Sequence, residues 1–203
     1  MDLLPLLSSL ERIDLADGQL HYQPCFYQTH QSDSYFLALQ QLAWQQLSIR
    51  LYGREVRQPR QQVWFGDQAY TYSGLTLAPQ PWPPLLERLK ADVEHASGQR
   101  FNTVLGNLYR DGRDHMGWHS DDEASLGLNP TIASLSFGDS RRFLLKHKLT
   151  GQKFGLDLPH GALLIMGGAT QHYWLHQVAK TQKPCLPRIN LTFRLVLPLN
   201  KSN

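Results

Sequence analysis

The segment Trp118-His119-Ser120-Asp121-Asp122-Glu123 puts an imidazole and a carboxylate two residues apart. In extended backbone such side chains leave the same face, so His119 and Asp121 can approach one metal ion together. His-x-Asp pairs also occur in ordinary surface loops, and a third ligand must come from elsewhere in the chain. His147, His160, His172 and His176 lie downstream. His176 is the best placed, because it follows the apolar run ALLIMGG and the aromatic His172-Tyr173-Trp174. His172, four residues earlier, is its rival, and His147 and His160 read as loop histidines.

Two imidazoles and one carboxylate with open positions suit non-haem Fe(II) oxygenation, and zinc hydrolysis uses similar ligands. The last extended segment favours iron. In Arg188-Ile-Asn190-Leu-Thr192-Phe-Arg194-Leu-Val-Leu197, the residues Ile189, Leu191, Phe193, Leu195 and Leu197 share one face. Arg188, Asn190, Thr192 and Arg194 share the other. That second face is either wet or lines a polar cavity whose guanidinium groups hold carboxylates by paired hydrogen bonds. Asn107 and Tyr109, also two apart, add donors of the same kind. In the amino half, Tyr52, Tyr70 and Tyr72 interleave with Arg50, Arg54, Arg57 and Arg60, a mixture that suits stacked bases and phosphates, or an ordinary sheet surface.

These groups need a scaffold. Phe36, Leu39, Ala43 and Leu47 recur at helical spacing, which predicts a helix over Ser32–Leu47 capped by Ser32. Pro84 opens a second helix through about His95, with Leu85, Leu86, Leu89 and Val93 on one stripe and Gly98 after its end. Leu20–Tyr27 reads as a strand at a sheet edge. Further strands are predicted at 102–109, 131–137, 142–147, 154–158, 162–166 and 189–197, separated by Gly/Pro/Asp turns. Many short strands and few helices exclude a doubly wound parallel sheet. They predict a mostly β chain, a barrel or jelly roll with helices packed on one outer side. The 203 residues are expected to form one domain, with residues 1–98 as an extension carrying two helices and short hairpins, and residues 99–198 as the core.

Composition sets the outer bounds. Hydrophobic residues are 41% and charged residues 18%, which excludes disordered and fibrous classes. Cys25 and Cys185 make no CxxC pair, so a reducing compartment is expected. The amino terminus lacks a basic region and its short apolar run is broken by Pro5, a poor leader. The expectation is a soluble intracellular monomer, cytoplasmic or nucleoid-associated, with no membrane contact. From Asp139 onward ten Lys/Arg face two acidic residues, a net +8; the residues before hold ten against fifteen, a net −5, and the two add to the chain's +3. That asymmetry admits a polyanionic partner.

Taken together, Asn107-x-Tyr109, His119-x-Asp121, His176 and Arg188-Ile-Asn-Leu-Thr-Phe-Arg194 resemble the AlkB-type Fe(II)/2-oxoglutarate dioxygenases, which reverse alkylation damage on nucleic-acid bases. The likeness runs from about Leu51 to Pro198 and is nearest to the branch that repairs double-stranded DNA. It implies a double-stranded β-helix (jelly roll) and iron ligated by His119, Asp121 and His176. 2-Oxoglutarate would be held by Arg188 and Arg194 with Asn107, Tyr109 and Asn190, and O2 would be the second co-substrate. It places Tyr72 and His119 around a flipped base, Tyr70 and Glu123 at its polar edge, and Arg60 among the substrate-binding residues. Tyr52 would be the wedge, where the double-strand branch carries phenylalanine; Trp118 is a second departure. The implied substrate is alkylated DNA of N1-methyladenine or N3-methylcytosine type, single- or double-stranded. RNA demethylation, hydroxylation of a protein or small molecule, and non-enzymatic DNA binding are the alternatives.

Overall fold

The computed structural model describes residues 10–51, 54–68, 70–72 and 75–198. Two antiparallel sheets face each other. The larger contains β1 (Glu11–Leu15), β2 (Gly18–Gln23), β5 (Gln61–Gly66), β8 (Thr103–Tyr109), β10 (Ile132–Gly138), β13 (Ala162–Gly167) and β15 (Arg188–Arg194), in the order β1-β2-β13-β10-β15-β8-β5. The smaller contains β9 (Met116–His119), β11 (Arg141–His147), β12 (Lys153–Leu158) and β14 (Trp174–Val178), in the order β12-β11-β14-β9. Two hairpins stand outside: β3 (Ser48–Leu51) with β4 (Arg54–Arg57), and β6 (Tyr70–Tyr72) with β7 (Leu75–Leu77). This is the jelly roll, and strands from both sides of residue 98 share its larger sheet.

Alternation along each strand divides the apolar residues between two layers. Leu105, Ile132, Phe143, Leu145, Leu164, Met166 and Trp174 fill the space between the sheets. Leu135, Phe137, Leu163, Ile165, Ile189, Leu191 and Phe193 face outward under the helices. Helix α1 (Thr29–Leu39) and helix α2 (Pro84–Ser97) cover that outer face, α2 through Leu86, Leu89 and Val93. Gly98, left-handed at φ 65°, ends α2 as its position predicts.

Four expectations change. Helix α1 starts earlier and stops at Leu39; the Trp44 indole donates to the Leu39 carbonyl, and Gln45 pairs with Gln62 of β5. Ser32 is not its cap but a fully buried residue inside it, its hydroxyl donating to the Tyr27 carbonyl. Strand β2 is internal, because β1 takes the edge. Strand β15 ends at Arg194; beyond it the alternation inverts, burying Val196 and exposing Leu195 and Leu197, where Asn102 Oδ1 accepts from Val196 N–H. A one-turn helix, α3 (Thr170–Tyr173), was not foreseen. Among the described residues no helix is long and apolar enough to cross a membrane.

Candidate active site

Strands β9 and β14 pair so that His119 and His176 stand directly opposite each other, their ring centroids 4.2 Å apart. Asp121 follows in the loop after β9, and the three ligand atoms lie within 4.8 Å of one another. His119 Nδ1 lies 2.8 Å from the Gly117 carbonyl. A carbonyl only accepts, so Nδ1 carries the proton and Nε2 is the lone-pair nitrogen. Burial lowers the His119 pKa against the pull of Asp121. Burial and neighbouring His119 push His176 down to about 3. Burial works to raise Asp121, but the charge of Arg194, then His176 and His119, outweighs it and holds the carboxyl below its ordinary value. Two neutral imidazoles and one carboxylate are the protonation states a divalent metal requires.

The polar face of β15 points inward. All seven of its residues are buried; Ile189, Leu191 and Phe193 pack under the helices, while Arg188, Asn190, Thr192 and Arg194 line a cleft between the sheets. The wet-face reading is thereby excluded. The cleft holds about 850 Å³ of empty space counted to its open mouth, and His119, Asp121 and His176 share it. Arg194 Nη2 donates to Asp121 Oδ2 at 2.9 Å, tying the arginine to the candidate ligand.

Arg188 is different. It is 1% exposed, and its Nη2 donates to Ser136 Oγ at 2.8 Å. Among the described residues Nε and Nη1 meet no hydrogen-bond acceptor. The guanidinium carbon sits 5.3 Å from the centroid of the Tyr109 ring. Burial pushes its pKa down to about 10, with Tyr109 opposing the shift. A buried cation with two unused donors fits an incoming carboxylate.

Asn107, Tyr109, Asn190, Arg60 and Glu123 also line the cleft. Tyr70 and Tyr72 lie on β6, paired with Leu77 and Leu75. Tyr52 lies outside the described residues. His172 does not join the cluster; its Nε2 lies 3.4 Å from Asn129 N–H.

The sequence reading passed over Ser134 and Ser136, which support Asn190 and Arg188. Their alternation in Ile-Ala-Ser-Leu-Ser-Phe, in register with β15, was the available signal. It also passed over Gln171, fully buried, whose Oε1 accepts from Asp121 N–H at 2.9 Å. No local pattern marks that residue.

Comparison with known proteins agrees with this geometry. The description 2OG-Fe(II) oxygenase superfamily matches residues 19–194. The chain is 44% identical over 163 residues to the Bos taurus DNA oxidative demethylase ALKBH2, covering 75% of this chain and 59% of that protein. It is 47% identical over 152 residues to the Homo sapiens alpha-ketoglutarate-dependent dioxygenase alkB homolog 3, covering 70% and 53%. With the Arabidopsis thaliana DNA oxidative demethylase ALKBH2 it shares 38% over 220 residues, covering 93% and 70%. The chain thus spans less than two thirds of the length of the first two. The solved structure of OsALKBH1 superposes with a TM-score of 0.64 at 19% identity, over 91% of this chain and 100% of that one, which shows a shared fold. A jelly roll with a His-x-Asp…His cluster, matched over this span, places the chain in the 2OG-Fe(II) oxygenase superfamily, among its AlkB-type dioxygenases.

Proposed function

We propose that this chain removes alkyl groups from N-alkylated bases of DNA, in a reaction coupled to decarboxylation of 2-oxoglutarate. The residues fit both groups the family requires. His119, Asp121 and His176 would hold Fe(II), and the unused Nε and Nη1 of Arg188 would take one carboxylate of 2-oxoglutarate, with Tyr109, Asn107, Asn190 and Arg194 around it. The observation that carries the reading is the buried Arg188, which meets no carboxylate among the described residues, in the same cleft as the three-ligand cluster.

When bound, Fe(II) with 2-oxoglutarate and O2 supplies the oxidising power that hydroxylates the alkyl carbon, while 2-oxoglutarate becomes succinate and CO2. The hydroxylated N-alkyl group then leaves as an aldehyde, formaldehyde for a methyl lesion. The protein's own share is position and exclusion. Arg194 holds the Asp121 carboxylate ionised and oriented, and Gly117 fixes the ring of His119. Phe143, Met166 and Leu105 give the cleft apolar walls that restrict water. The target base must leave its stack to reach the cleft. Tyr70, Tyr72 and Glu123 are assigned to that base, and Tyr52 to the gap it leaves, the three tyrosines lying before residue 98. The relatives named as DNA oxidative demethylases support DNA over RNA. We further assign the protein to act as a monomer on intracellular DNA, single- or double-stranded.

The test is anaerobic reconstitution with Fe(II), then a formaldehyde assay on matched single- and double-stranded oligonucleotides carrying N1-methyladenine. Release that requires 2-oxoglutarate supports the proposal. DNA binding with no release at any 2-oxoglutarate concentration overturns it. In the same assay His176→Ala should abolish turnover and Fe(II) binding without unfolding the chain; substantial residual turnover removes His176 from the ligand set.

A further inference from the structure

Arg60 is 3% exposed, Gln62 1% and Asn107 7%, and the three meet at the wall of the cleft, which Arg60 and Asn107 line. Arg60 Nε donates to Asn107 Oδ1 at 2.7 Å, and Gln62 Nε2 donates to the same oxygen at 3.1 Å. Arg60 Nη2 donates to Gln58 Oε1 at 2.6 Å, which fixes the plane of the guanidinium. Asn107 and Gln62 face each other across the β5–β8 ladder, so backbone register already sets the spacing of this group.

A carboxamide has two chemically opposite ends, an acceptor oxygen and a donor NH2. A carboxylate ligand can be held only by the second. An unsupported asparagine lining a cavity can present either end, since a flip of its terminal torsion costs little. Here both lone pairs of Asn107 Oδ1 are taken by donors from β5 and the segment just before it, one of them permanently charged. A flip would aim the NH2 group at Arg60 Nε and Gln62 Nε2, donor against donor. The NH2 end is therefore the part of the amide left for the cleft.

We propose that Arg60 and Gln62 are positioning residues of the 2-oxoglutarate site, which hold the Asn107 amide with its donor end toward the cosubstrate. This rests on the assignment of the cleft to 2-oxoglutarate. It differs from a role for Arg60 in touching the base, because Arg60 then acts through Asn107. It also makes segment 58–62, next to the hairpins assigned to nucleic acid, a mechanical support of the cosubstrate site.

The experiment is a calorimetric titration of Mn(II)-loaded protein with 2-oxoglutarate, on the parent, Arg60→Met, Gln62→Leu, Asn107→Ala and the double variant Arg60→Met/Asn107→Ala. The loss of one oriented hydrogen bond weakens 2-oxoglutarate binding about five- to tenfold in Arg60→Met and less in Gln62→Leu. Mn(II) affinity and binding of an oligonucleotide without 2-oxoglutarate stay at parent values. In the Asn107→Ala background, Arg60→Met produces no further loss, because the group through which it acts is gone. Additive losses in the double variant overturn the proposal. So does an Arg60→Met protein that binds 2-oxoglutarate like the parent and loses oligonucleotide affinity. Should Arg60→Met fail to fold, Arg60→Lys keeps the charge without the fork geometry and carries the same comparison. Failure of the parent to bind 2-oxoglutarate at all would instead sink the reading of the cleft itself.

Discussion

Arg188 keeps its charge in the interior with no carboxylate beside it among the described residues, and that has a thermodynamic consequence. Its pKa falls from the ordinary guanidinium value to about 10 because burial opposes the cation. A cation whose folded pKa lies below its unfolded value destabilises the fold at every pH under the folded pKa, and the penalty fades only as pH rises above about 10 toward the ordinary guanidinium value. The shift corresponds to roughly 3 kcal/mol of unfavourable burial at neutral pH. A dicarboxylate that pairs with Arg188 removes this penalty. We predict that 2-oxoglutarate at about a hundred times its Kd raises the Tm by about 5–10 °C in a metal-loaded sample. Arg188→Met should melt higher than the parent without ligand and lose most of the ligand-induced rise. A variant that melts lower, yet still responds to 2-oxoglutarate like the parent, would contradict the assignment. The two faces of β15 were legible from period two alone, since its polar and apolar residues alternate without a break, but which of them turns toward the cleft was not. Gln171 was not, because its role is set by a residue fifty positions away.

At the level of elements, the turn between β12 and β13 shows how a local conformation docks a distant helix. Gly161 has φ +80°, and its carbonyl accepts from both Phe26 and Tyr27 N–H, at 2.9 and 3.1 Å. A Cβ there would collide with Ser32 Oγ and lie 2.6 Å from the Tyr27 carbonyl. Gly161→Ala combines left-handed strain of about 1–2 kcal/mol with this overlap. It should lower the Tm by about 4 °C or more, and α1 should exchange its amide hydrogens faster than α2. An unchanged melting curve would mean that the turn does not anchor α1. Helix α2 was readable because its start, stripe and stop are all local: Pro84, the leucines and Gly98. The end of α1 was not. Phe36, Leu39, Ala43 and Leu47 keep helical spacing past Leu39, but β5 draws Gln45 into a bridge and Trp44 closes the last turn. The short strands β9 and β14 escaped for the same reason. Each holds four or five residues, and pairing rather than propensity defines them.

For the whole molecule, the basic carboxy-terminal third overstates the charge available to a polyanion. Of the ten Lys/Arg from Asp139 onward, Arg141, Arg188 and Arg194 are buried, at 5%, 1% and 4% exposure. Arg142 pairs with Asp157 and Lys148 with Asp122, each at 3.1 Å. Lys146, Lys153, Lys180 and Lys183 stay exposed at the surface. Composition therefore registered a charge of which three arginines serve the interior and two further cations are paired, and only burial and pairing separate these from the rest. The salt dependence of DNA binding reports which count applies, because each neutralised phosphate contributes about −0.9 to the slope of log K against log salt. Four contacts predict a slope of about −4 on a methylated duplex, whereas the +8 of the sequence predicts about −7. Anisotropy titrations between roughly 50 and 200 mM KCl resolve the two values. Removing two of these charges, as Lys180→Gln/Lys183→Gln, should flatten the slope by about 2 and leave 2-oxoglutarate affinity untouched. A slope that stays at its parent value would transfer the phosphate contacts to the exposed Arg54 and Arg57 of β4.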